Sequence, residues 1–198
     1  MEHLKGLPDV LSPDPRMGAF VKADTERGEF VPLTLEDLHG SLAAIQLNET
    51  APDQVRSYFE TAKNVCLYGW FVYPFFTTAV FLSYTAVELA LQVRLPRPAG
   101  ERPPGLRELM RVAITQGLIS DAGFRTVQRR RAYLEALDST GEEIRSDGRI
   151  PYTSILLDTF PDLRNAFAHP SSLTILAPAD ATSSLVRAAE IINQLFPH

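Results

Sequence analysis

The chain has 198 residues, 45% of them hydrophobic, and a formal net charge of −5. That length suits one domain with an extension, and that apolar share suffices for a sizeable core. The acidic balance argues against a protein coated for nucleic acid, the single cysteine excludes an internal disulfide, and one cysteine with four scattered histidines offers no zinc-ligand spacing.

The N-terminus, Met1 to Lys5, runs into prolines and acids and has no secretory pattern. With one cysteine, a reducing cytosol is the expected location, and no metal or cofactor is expected. Residues 1–33 are rich in proline and acid, and Pro8, Pro13, Pro15 and Pro32 forbid a long helix there. Ala19–Lys22 and Glu29–Val31 flank Asp24-Thr25-Glu26-Arg27-Gly28, which suits a small β-hairpin or an extended arm. A helix is expected from Thr34, its N-cap, with Asp37 three residues on and an apolar stripe of Leu35, Leu38, Leu42 and Ile45. Residues 1–50 thus read as an extension, and 51–198 as the main helical domain.

A second helix is expected over about Pro52–Tyr68, with Val55, Phe59, Ala62 and Cys66 at helical spacing. Val65–Val87 carries no charge and is long enough to span a bilayer. Gly69, Pro74, its tyrosines and threonines, and the missing basic flank favour a buried bend between two helices, so no membrane contact is expected. The third helix, about Pro74–Leu95, is apolar nearly all round, as befits the centre of a bundle. Its one acid, Glu88, needs a partner or a proton, because an unpaired buried charge is costly.

Pro96–Gly105 reads as a loop, and Leu106–Gln116 as a short helix ended by Gly117. Ser120–Gly123 is a turn, and Phe124–Leu137 is a helix carrying Arg129, Arg130 and Arg131. Residues 94–149 hold eleven basic and eight acidic groups, whereas residues 1–60 hold five and eleven. The arginine cluster is either a modest phosphate-facing surface or a solvated helix face. Asp138–Gly148 reads as a surface loop. A further helix runs from Pro151 or Tyr152 to about Ala168, with a kink or a break into two helices at Pro161, and the last runs over about Ala181–Leu195. The expected fold class is all-α, a helical bundle with a short N-terminal extension.

The run Arg164-Asn165-Ala166-Phe167-Ala168-His169-Pro170 concentrates chemistry at a helix end. Histidine exchanges a proton near neutral pH, arginine holds phosphate, and the amide orients either. Asn165 and His169 share a helix face, while Arg164 projects about 100° from Asn165, so the three do not cluster tightly within one chain. Across a two-fold axis, two copies could line one cleft.

Arg164-Asn165-x-x-x-His169 resembles the arginine–x4–histidine motif of HEPN domains (higher eukaryotes and prokaryotes nucleotide-binding). Ala86–Leu91 resembles a core HEPN helix that carries a glutamate, and Gly105–Ile119 resembles the helix after it. The likeness covers about residues 55–196. It implies a helical domain that often dimerises, with many members metal-independent RNases and others non-catalytic RNA- or nucleotide-binding modules. It implies His169 as general base or acid for attack of a ribose 2′-OH on phosphorus, and Arg164 as stabiliser of the phosphorane. Asn165 would orient His169 or a phosphate oxygen. A toxin of this kind would ordinarily have a nucleotidyltransferase-like antitoxin. Pairing of Glu88 with Arg164 is inferred from the buried charge alone. Plainer roles remain open: His169 as a helix cap, Arg164 as a counter-ion for Glu88, Asn165 as a loop hydrogen bonder.

Overall fold

The structure, a computed structural model, describes residues 3–95, 104–138, 150–168 and 176–198. The N-terminal arm winds through two 3-10 turns, Leu7–Asp9 and Pro15–Ala19, into a hairpin of β1 (Val21–Asp24) and β2 (Glu29–Pro32). The strands are antiparallel, with Val21 opposite Pro32 and Asp24 opposite Glu29. Gly28 takes φ of 69°, the left-handed conformation that glycine adopts without strain, and closes the turn.

Seven α-helices follow among the described residues: α1 (Leu35–Ala43), α2 (Asp53–Tyr68), α3 (Phe75–Arg94), α4 (Leu106–Thr115), α5 (Arg125–Asp138), α6 (Tyr152–Ala168) and α7 (Pro178–Leu195). α1 begins with a full capping box: Thr34 Oγ1 accepts the Asp37 N–H, and Asp37 Oδ2 accepts the Thr34 N–H. α4 shows the sharpest amphipathicity, burying Leu106, Leu109, Met110 and Ala113 while exposing Arg107, Glu108 and Arg111. Gly117, at φ of 72°, ends that turn.

α3 is the central element and packs against α2, α4, α6 and α7. Its Phe76, Ala79, Val80, Ala86, Val87, Ala90 and Leu91 are buried, each large apolar side chain contributing about 1.5–3 kcal/mol. Met17, Leu38, Leu42 and Ile45 belong to the same core as α2, α3 and α7. α3 is also the one described helix long and apolar enough to cross a membrane, and half of its apolar window is buried inside the fold. The charge-free run around Pro74 is a tight turn between α2 and α3, in which Trp70 and Tyr73 are buried and Tyr68 is exposed.

Pro161 does not break α6, which continues as one helix from Tyr152 to Ala168. Proline removes the N–H that would bond the Leu157 carbonyl four residues earlier. Arg107 on α4 supplies the replacement: its Nη1 donates to Leu157 O (3.1 Å) and its Nη2 to Asp158 O (3.2 Å). The same Nη2 donates to Asp162 Oδ1 at 2.8 Å. The start of α6 is held from a distance too, since Asp121 accepts the Tyr152 and Thr153 N–H groups at 2.9 Å each. Burial raises the Asp121 pKa, but the Thr153 N–H and hydroxyl and the Tyr152 N–H outweigh it and hold the carboxyl below its ordinary range. α7 starts three residues earlier than its apolar pattern indicates, with Pro178 in its first turn.

Candidate functional site

α3 and α6 cross through a ladder of side chains that alternates aromatic and charged. Tyr84 packs at a tilt against Phe160, with centroids 4.2 Å apart and ring planes 56° apart, and lies 6.1 Å from Phe167. Phe160, Arg164 and Phe167 share one face of α6, so the aromatic contacts fix the height at which Arg164 meets α3. There Arg164 Nη2 donates to Glu88 Oε2 at 2.9 Å. The guanidinium carbon lies 5.9 Å from the centre of the Phe81 ring.

The pair is sheltered but not sealed: the Arg164 side chain is 29% exposed and that of Glu88 17%. A lone acid in an apolar helix thus meets a cation at the rim of the core, where solvent still reaches both. Arg164 Nε is buried and meets no acceptor among the described residues. Arg164 Nη1 donates to Asn165 Oδ1 at 3.3 Å. The helical offset between these neighbours therefore does not keep them apart, because the long arginine side chain bends back over the amide. Asn165 is exposed, and its carbonyl is turned to Arg164. His169 and Pro170 lie outside the described residues, as do 96–103 of the proline-rich loop and 139–149 of the polar loop.

The three arginines of α5 separate. Arg129 faces a cleft of about 620 Å³ between the hairpin, α1 and α7, together with Lys22, Arg125 and Arg187. Arg130 and Arg131 face another groove, beside Leu134, Ile150 and Ile155, and Arg131 Nε donates to Glu135 Oε1 at 2.8 Å. Tyr152, which lines both clefts, and Arg164 are twelve residues apart on α6, about 18 Å along its axis. The arginine cluster and the Arg164 motif therefore occupy opposite ends of α6.

Lys22, Arg187 and Arg107 carry no motif and were not marked by sequence reasoning. Only Arg107 had an indirect signal, since a proline inside a helix calls for a substitute donor. Cys66 is fully buried, and burial pushes its thiol up to about 12, which removes it as a nucleophile. Among the described residues, no group of three His, Cys, Asp or Glu side chains could hold a metal ion.

No family model matches the chain, and no curated protein or solved structure matches it.

Proposed function

We propose that the chain is a HEPN-like, metal-independent endoribonuclease that acts as a homodimer, in the manner of a toxin or a stress or defence effector. The observation that carries this reading is the placement of Arg164. It is fixed by Glu88 from behind and by Asn165 at the side, with a guanidinium still partly open to solvent. Leu163 beside it is 40% exposed, an apolar group available to a second copy. In a two-fold cleft, His169 takes the proton of a ribose 2′-OH as the oxygen attacks phosphorus. The P–O5′ bond then breaks, and the 5′ oxygen leaves with a proton from the second histidine. Arg164 holds the phosphorane charge. The products are a 2′,3′-cyclic phosphate and a 5′-hydroxyl end. A nucleotidyltransferase-like antitoxin would be the natural partner of such a toxin.

The alternative is a non-catalytic RNA- or nucleotide-binding or protein-interaction module. The Glu88 carboxylate favours it, because it already offsets much of the Arg164 charge. The test is cleavage of mixed RNAs in EDTA by wild type, His169→Ala and Arg164→Ala. Cyclic-phosphate ends produced by wild type and lost in both folded variants support the ribonuclease. No cleavage, or equal cleavage by all three, turns the reading to the binding module.

A further inference from the structure

The cleft that receives Arg129 is built from segments far apart in sequence. The hairpin contributes Lys22, the start of α5 Arg125 and Arg129, and α7 Arg187. Glu190 is the one carboxylate among its lining residues. Asp37 pairs with Lys22. In a chain of net charge −5, this wall keeps a positive excess even after both acids are counted.

The cations differ in how far they are committed. Arg125 sits 3.6 Å from Glu190, whose carboxylate also accepts the Arg125 N–H at 3.1 Å. Arg187 Nε donates to the Tyr152 hydroxyl at 3.1 Å, a neutral partner that leaves its charge uncompensated. Arg129 has no ion pair among the described residues. Among the described residues two guanidiniums thus lack a carboxylate partner at one cleft. Around them the lining is apolar or aromatic, from Phe20, Leu33, Leu38, Val186 and Tyr152, with the Ser41 and Thr182 hydroxyls nearby.

Guanidinium groups without carboxylates select phosphate or carboxylate, and a planar fork suits phosphate best. An apolar wall with two aromatic rings selects a flat, weakly polar body. The volume fits a small ligand, in the usual range of about 300–1,000 Å³. We infer that this cleft binds a nucleotide-sized phosphate ester, with its phosphates on Arg129 and Arg187 and its flat apolar part against Phe20 and Tyr152. The site is separate from the Arg164 motif and stands or falls without it.

The test is isothermal titration of the full chain with ADP, adenosine, inorganic pyrophosphate and a single-stranded RNA oligonucleotide. ADP should bind and adenosine should not. Pyrophosphate should bind more weakly than ADP, since it lacks the apolar part. Arg129→Ala and Arg187→Ala should each weaken ADP about tenfold or more, the loss expected for one charge-assisted contact. Arg129→Ala removes a side chain that has no ion pair among the described residues, so its fold should be unaffected, which circular dichroism checks. Arg164→Ala should leave ADP binding unchanged. No binding of ADP, equal binding of adenosine, insensitivity to Arg129→Ala, or loss with Arg164→Ala would each overturn the assignment. Binding of the oligonucleotide but not ADP would overturn it too, and make the cleft a strand-binding groove.

Discussion

Replacing Arg107 with alanine tests whether a side chain can stand in for a backbone donor. Arg107 bonds the Leu157 and Asp158 carbonyls and the Asp162 carboxylate. Each carbonyl bond is worth about 0.5–1.5 kcal/mol net, and an exposed ion pair adds about 0–1 kcal/mol. The Arg107 side chain is 48% exposed and that of Asp162 71%, so water recovers part of the loss. The expected cost is about 1–2 kcal/mol, or a fall in Tm of about 3–6 °C for a chain of this size. Urea unfolding followed by far-UV circular dichroism measures it. The decisive comparison is the same substitution in a Pro161→Ala background. There the restored N–H at 161 reaches Leu157 O, so Arg107→Ala should cost about 1 kcal/mol less. Arg107→Lys should behave nearly like alanine, because one ammonium cannot span two carbonyls and a carboxylate. An equal cost of Arg107→Ala in both backgrounds would refute the idea that the guanidinium replaces the proline's missing donor.

Other outcomes follow from single contacts. Glu88→Gln should lower stability by only about 1 kcal/mol, measured by thermal melting, since solvent reaches the Arg164 that it leaves unpaired. Several kcal/mol would mean a much drier pair. The Arg16 guanidinium, bonded to the Asp14 carboxyl, lowers its pKa from 3.8 to about 2 against the rise that burial would give. Its folded value is depressed, so its stabilisation of the arm is complete above about pH 4 and is lost as pH falls through about 2. Asp14 N donates to Trp70 O, so the fluorescence of the chain's one tryptophan should report that release, and Asp14→Asn should abolish the transition. Gly69→Ala should cost about 2–4 kcal/mol by urea unfolding, because a Cβ there would lie 2.8 Å from both the Cys66 carbonyl and the Phe76 ring. Cys66 should resist a disulfide reagent at neutral pH until denaturant is added; fast labelling of the native chain would contradict its burial.

Local signals were legible and distant ones were not. Thr34 and Asp37 mark the start of α1 because a capping box is complete within four residues. Val55, Phe59, Ala62 and Cys66 mark the inner face of α2 because helical spacing is itself the signal. The hairpin was legible from a turn between two β-prone runs, and Glu88 drew notice as a lone acid in an apolar helix. Its pairing with Arg164, seventy-six residues on, was inferred from the buried charge alone, and the two side chains meet in the fold. Pro161 was legible as a disturbance but not as a solved one, because Arg107 sits on another helix. Of the Arg129 cleft only Arg129 was marked, as part of the arginine cluster; its grouping with Lys22, Arg125 and Arg187 was not legible, because these residues come together only through tertiary packing.

The Glu88 contact bears on what Arg164 can do for a phosphate. A guanidinium carries five N–H donors. Glu88 accepts at Nη2 and Asn165 at Nη1, each through one N–H, and Nε is buried without an acceptor among the described residues. Among the described residues the remaining N–H of each terminal nitrogen meets no acceptor, and the side chain is 29% exposed. A free arginine would offer more charge, but it would lose rotamer entropy each time it met its ligand. An arginine already anchored to a carboxylate has lost that freedom on folding. It offers less net attraction and better direction. Catalysis rewards direction, because only contacts stronger in the transition state than in the ground state raise the rate. Simple affinity rewards charge. On this reasoning Glu88→Gln should tighten RNA binding while slowing any cleavage, whereas in a pure binding module it would tighten binding with nothing lost.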